Sequence, residues 1–256
     1  MVRFGVVTDA HYADREPANG RYYREALDKM REAMEALAPL RPGFVVELGD
    51  LIDSAPDLPT EIEWLRRIDR ELARFDGERH YVVGNHCVKS LTREELIANT
   101  GARDPLHYTF ERGGIRFVVL DACYRSDGVP YGRDNAEWTD SAIPSEQVDW
   151  LGRTLGESDT RTIVFVHQRL DATGDYAVGN AAEVRSVLEA SGVVLAVFQG
   201  HEHRNDLREI GGIRYVTFRG MIEGSGPAAN GYALVEVTPD GAVSVRGFRD
   251  QASYAW

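Results

Sequence analysis

Apolar positions recur along this chain in two rhythms. Six short runs are dense in hydrophobic and β-branched residues: Arg3 to Val7, Gly43 to Glu47, Arg79 to Val83, Ile115 to Leu120, Thr162 to Val166 and Val193 to Phe198. Runs of that length and composition predict strands. Between the first two lies Arg21 to Ala38, where Leu27, Met30, Met34 and Leu37 recur at helical spacing and predict a helix with one buried stripe. Thr60 with Glu63, and Thr92 with Glu95, match the capping box that satisfies free N–H groups at a helix start, and Leu65, Ile68 and Leu72 continue the first of these. Strands alternating with helices predict an α/β architecture. After Gly200 the rhythm changes: Ile213 to Phe218, Tyr232 to Val237 and Val243 to Phe248 predict strands, with Pro239-Asp240-Gly241 as the turn between the last two. The C-terminal part is therefore expected to be mainly β. Residues 124–144 are rich in Gly and Asp and follow neither period. Loops longer than about 12–15 residues are usually functional or disordered, which suggests a lid or insertion over a site.

Length and composition narrow the picture. At 256 residues the chain needs only one core, so a single domain, 1–256, is expected. Its 43% hydrophobic and 27% charged residues are those of an ordinary soluble protein. No apolar run approaches the roughly 18 residues of a membrane span, and no membrane association is expected. The N-terminus enters a strand-like run directly, without the apolar stretch and cleavage site of a secretory signal, so a cytoplasmic location is expected. The two cysteines, Cys87 and Cys123, imply no disulfide framework and are expected as free thiols. A formal net charge of −12 opposes a broad grip on a nucleic acid polymer. It does not oppose a small phosphorylated substrate, because bound divalent cations would dominate the local field.

Five short motifs each follow a strand-like run: Asp9-Ala10-His11, Gly49-Asp50-Leu51-Ile52-Asp53, Gly84-Asn85-His86, His167, and Gly200-His201-Glu202-His203. In open α/β sheets the carboxyl ends of the strands gather on one edge, where ligands bind. Carboxylate oxygen, imidazole nitrogen and amide oxygen are the donors that borderline divalent metals accept. Taken singly, the motifs have plainer readings: a turn with a surface His, a tight Gly-Asp turn, a core imidazole at His167. Gly-His-x-His is more specific, since alternation puts both rings on one face of an extended segment. The plain reading must hold five times in order, and five of the seven histidines lie in these motifs. Convergence on a metal site is the better expectation.

In that order and spacing, these residues resemble the calcineurin-like metallophosphoesterase superfamily, whose pattern is D-x-H, G-D-x-x-D, G-N-H, a later His, and G-H-x-H. The resemblance runs from Asp9 to His203. It implies a four-layer α/β/β/α sandwich and two divalent or mixed-valence ions per chain, Mn, Fe or Zn. Asp9, His11 and His203 would hold one ion, Asn85, His167 and His201 the other, and Asp50 would bridge them. His86 is then left free near the leaving group, with Asp53 either orienting it or capping a helix. In such chemistry a pair of ions activates water for in-line attack, so no Ser or Cys nucleophile is required. Within the superfamily, His11-Tyr12-Ala13-Asp14, Arg21-Tyr22-Tyr23-Arg24 and Gly49-Asp50-Leu51-Ile52-Asp53 are similar to the manganese-dependent ADP-ribose/CDP-alcohol diphosphatases. The implied activity is that of a phosphodiesterase or pyrophosphatase on small nucleoside-diphosphate derivatives. A phosphomonoesterase with the same metals and a non-catalytic scaffold are the alternatives. A purely structural site is disfavoured, because such sites are closed four-ligand cages. Three departures stand out: His11 where those diphosphatases often carry Gln, Cys87 where the superfamily usually has an acidic residue, and Gln168-Arg169 after His167 in place of a His or Pro. Arg21 and Tyr22, with Tyr23, and Tyr131 and Arg133, with Trp138 in the long loop, are the candidate substrate-binding residues; helix-start packing and loop packing are the plainer roles for them. Metal identity and oligomeric state stay open.

Overall fold

Alternation along the strands decides the layering. The computed structural model describes all 256 residues. In strand β1 (Val2–Val7) and strand β2 (Phe44–Glu47), Phe4, Val6, Phe44 and Val46 share one core with Phe117, Phe165 and Phe198 of a second sheet. Val7 and Val45 face the other way, onto Met30, Met34 and Leu37 of α1 (Ala26–Leu37) and Leu65, Ile68 and Leu72 of α2 (Leu58–Leu72). The second sheet repeats this. Val118 of β5 (Ile115–Val119), Val164 of β6 (Thr162–Phe165) and Val197 of β7 (Val194–Gln199) turn outward onto Leu151 and Leu155 of α4 (Ser145–Gly156) and Val184 and Leu188 of α5 (Ala181–Ser191). The result is four layers, α/β/β/α, as expected.

Strand β3 (Glu78–Tyr81) follows α2, and α3 (Arg93–Asn99) and β4 (Tyr108–Arg112) precede β5. Strands β8 (Asp206–Ile210), β9 (Ile213–Thr217), β10 (Gly231–Val237), β11 (Val243–Arg249) and β12 (Tyr254–Ala255) complete the chain. The first sheet runs β12-β11-β10-β1-β2-β3 and the second β4-β5-β6-β7-β9-β8. β1, β2 and β3 are parallel, as are β5, β6, β7 and β9. Their carboxyl ends therefore lie along the same edge of each sheet. That edge carries the five motifs.

Two expectations change. The helix predicted from Arg21 begins at Ala26, after a 3-10 turn at Tyr23–Glu25, because Tyr22 N donates to Ile222 O at 3.0 Å and Arg21 bridges to Glu223. Thr60 is not an N-cap: the cap of α2 is Asp57, three residues earlier, whose side chain accepts from Thr60 N at 2.9 Å. Thr92 does close the box predicted for α3, with both reciprocal bonds present. The C-terminal strands are divided between the sheets, β8 and β9 extending the second while β10 to β12 return to flank β1. Residues 124–144 contain no helix or regular strand and fold over the carboxyl edge.

Candidate metal centre

Three of the five motifs deliver their donors through tight, strained turns. Asp9, His11, Asp50, His201 and His203 all have positive φ, between 45° and 70°, a conformation that costs a non-glycine residue energy and concentrates at functional sites. Only four other non-glycine residues in the chain share it. Two glycines make the close approach possible. A Cβ on Gly84 would lie 2.1 Å from Asp50 N, and one on Gly49, itself at φ +109°, would lie 2.4 Å from His167 Nδ1.

These turns bring the predicted donors together. Asp9, His11 and His203 form one group, Asp50, His167 and His201 a second, and His11, Asp50 and His86 a third, the donor atoms of each lying within 4.8 Å of one another. His11 Nε2 faces His203 Nε2 at 3.0 Å, and Asp50 Oδ2 lies 3.1 Å from His167 Nε2 and 3.5 Å from His11 Nε2. His201 N donates to Asp9 Oδ2 at 3.0 Å, which ties the two sheets together at this edge. Asn85 Oδ1, His167 Nε2 and His201 Nε2 are buried without hydrogen-bond partners. Buried polar atoms are normally paired, so unpartnered polar atoms converging with carboxylates suit divalent cations. Outward-facing nitrogens are fixed as in metal-bound histidines. His167 Nδ1 is held by Leu48 O at 2.7 Å and His203 Nδ1 by Glu223 Oε1 at 2.8 Å.

Electrostatics tell the same story. Burial would raise the Asp9 carboxyl, yet His203, His11 and His167 hold it well below the usual carboxylate range. Burial would lower His167 and His203, yet Asp50 carries the first up to about 9 and Asp9 the second up to about 9. His11 and His201, pushed by burial down to about 4 and about 3, stay neutral. The buried carboxylates thus draw His167 and His203 toward the charged form, and a bound cation would take the place of those protons.

Beside the donors opens a cavity of about 320 Å³, lined among others by His86, Arg21, Lys89, Trp138 and Tyr176. His86, half-buried, has Nδ1 3.3 Å from Asp53 Oδ1, and Asp53 Oδ2 accepts from Arg15 at 2.7 Å. Asp53 therefore orients His86 and caps no helix, α2 starting at Leu58. The carboxyl of Asp53 is drawn down against its burial chiefly by His86. Of the substrate candidates only Arg21 and Trp138 reach the cavity. The Tyr22 backbone joins Ile222. Tyr131 is buried, its hydroxyl donating to Glu137 O at 2.5 Å, and Arg133 pairs with Glu95 at 2.5 Å, so both pack the loop instead of lining the cavity. Lys89, Tyr176 and Glu223 went unread in the sequence. Lys89 lies three residues after His86, whereas Tyr176 and Glu223 sit in loops with no local signal.

The family profile described as calcineurin-like phosphoesterase matches residues 2–205. A manganese-dependent ADP-ribose/CDP-alcohol diphosphatase from Xenopus tropicalis is 25% identical, over 93% of this chain and 89% of that protein. One of the same name from Oryza sativa subsp. japonica is 24% identical, over 94% and 89%. In fold, the chain is similar to a dimetal phosphatase from Danio rerio, with a TM-score of 0.88 at 24% identity over 99% of this chain and 98% of that one. No helix is long and apolar enough to cross a membrane.

Proposed function

Because the chain belongs to the calcineurin-like phosphoesterase family and is a metal-dependent hydrolase, we propose that it splits the diphosphate linkage of small nucleotide derivatives of the ADP-ribose or CDP-alcohol kind, using two divalent ions with manganese foremost. Asp9, His11 and His203 would hold one ion and Asn85, His167 and His201 the other, with Asp50 between them. When bound, such ions lower the pKa of a water and neutralise phosphoryl oxygens. His86, with Nδ1 held by Asp53, has its other ring nitrogen to give a proton to the leaving oxygen.

The observation that carries the diphosphate reading is the reach of the cavity beyond the donors. Its outer wall is an aromatic pair, Trp138 and Tyr176, with ring centres 5.5 Å apart and both exposed by about two-fifths. Both rings also sit within 6.0 Å of the His201 ring. Exposed aromatic faces beside a phosphate-cleaving centre suit a stacked base. A phosphomonoesterase needs no such wall. The two buried free cysteines fit a reducing compartment, so the reading includes the cytoplasm. Parallel assays of ADP-ribose, CDP-choline, nitrophenyl phosphate and bis-nitrophenyl phosphate, with Mn, Fe and Zn supplied in turn, test it. Diphosphates should give the highest kcat/KM, with Mn the best ion. A monoester turned over faster than either diphosphate would sink the reading.

A further inference from the structure

Of the 29 lysines and arginines only two are lysines, and the structure uses them in opposite ways. Lys29 is fully buried, its ammonium donating to Met221 O at 2.8 Å, Glu223 O at 3.0 Å and Gly224 O at 2.6 Å, which pins the segment that supports His203. Lys89 is exposed and lines the cavity. The other cation of that cavity, Arg21, has Glu223 at 3.9 Å. Lys89 makes no close ion pair, feeling Glu61 only at longer range, and is the less neutralised positive charge of the wall. It sits one turn beyond His86, Lys89 N donating to His86 O at 3.4 Å, so its side chain rises on the His86 side of the donors.

We propose that Lys89 binds the departing phosphate of a diphosphate substrate and sets the preference of this site for diphosphates over single-phosphorus esters. The inference rests on the diphosphate reading above. In the hydrolysis, the attacked phosphorus gains a hydroxyl from water and loses its bond to the bridging oxygen. That oxygen leaves with the electron pair on the second phosphate, P–O cleavage running ahead of the proton that His86 then gives it, and the proton lost by the water passes to solvent, from which His86 is reprotonated. Negative charge therefore grows on the second phosphate, on the side where Lys89 stands. A single-phosphorus diester puts no such group there. An ordinary solvated lysine would treat the two substrate classes alike, which separates the readings.

The test compares the wild type with Lys89→Met and Lys89→Arg, with Mn supplied, on ADP-ribose and on bis-nitrophenyl phosphate. A lost charge-assisted hydrogen bond implies that the ratio of kcat/KM between the two substrates falls by about 10–100-fold in Lys89→Met. Lys89→Arg should restore most of it. A second readout needs no turnover. Because Lys29 is buried, an amine-acylating reagent reaches Lys89 as the one accessible side-chain amine, and ADP with Mn should slow its labelling in a peptide mass map. A wild type that ignores ADP-ribose defeats the diphosphate reading itself. An unchanged ratio in Lys89→Met, or labelling indifferent to ADP, overturns the role of Lys89 alone.

Discussion

Asp50 belongs to two of the three donor groups. Its Oδ1 accepts from His86 N at 2.8 Å, while Oδ2 faces His167 and His11 from opposite donor groups. Asp50→Ala should therefore strip bound divalent metal along with activity, whereas His86→Ala should keep its metal and lose about 10²–10⁴-fold in kcat, the usual share of a general acid. Elemental analysis beside kinetics reads both, and a His86 variant without metal would move that residue into the ligand set. Glu47 offers a test by pH. It is buried at the end of β2, accepting from Gly49 N at 2.8 Å, and burial raises its carboxyl well above the usual range. The folded state then holds a proton that the unfolded chain releases near 4.5, so this group costs stability as pH rises above that value. Glu47→Gln, which keeps the acceptor, should raise the melting temperature at pH 7 and leave it unchanged at pH 4. At this scale the sequence was legible where a donor sat in a short motif at a strand end. It was silent for Glu47 and Glu223, whose roles arise from burial and from a contact made across the fold.

Helix α3 shows how an element positions the site from outside it. Thr92 accepts from Glu95 N at 3.2 Å, Glu95 returns the bond to Thr92 N at 2.8 Å, and the same carboxylate holds Arg133 of the long loop. Capping thus also fastens the loop that delivers Trp138. Thr92→Ala should cost about 1 kcal/mol, or roughly 2–4 °C in Tm, readable by calorimetry. The capping signal here was visible in four residues, whereas Thr60 misled because Asp57 and Pro59 open α2 earlier. Strands β4 and β8, Tyr-Thr-Phe-Glu-Arg and Asp-Leu-Arg-Glu-Ile, escaped notice for a physical reason. They are the two edges of the second sheet, where polar side chains are tolerated and the apolar signal thins.

Across the whole molecule the donors come from both sheets, Asp9, His11, Asp50 and Asn85 following strands of the first and His167, His201 and His203 strands of the second. A ligand that binds only the folded state stabilises it in proportion to its saturation. Supplying Mn at about 1,000 times its Kd should add about 4 kcal/mol, and a chelator should remove it, seen as a fall in Tm. An unchanged Tm on chelation would mean that no ion spans the two halves. The layered architecture was readable from alternating strands and helices, but the place of β10 beside β1 was not, since no local pattern encodes pairing between the two ends of a chain. That pairing has a further consequence. Val2 lies opposite Val237, so β1 leaves the ribosome long before β10 and waits, one flank open, until that partner has been synthesised. Throughout that interval its bare edge can be captured by a neighbouring nascent chain, and slowing translation should lengthen the exposure and raise the aggregated fraction.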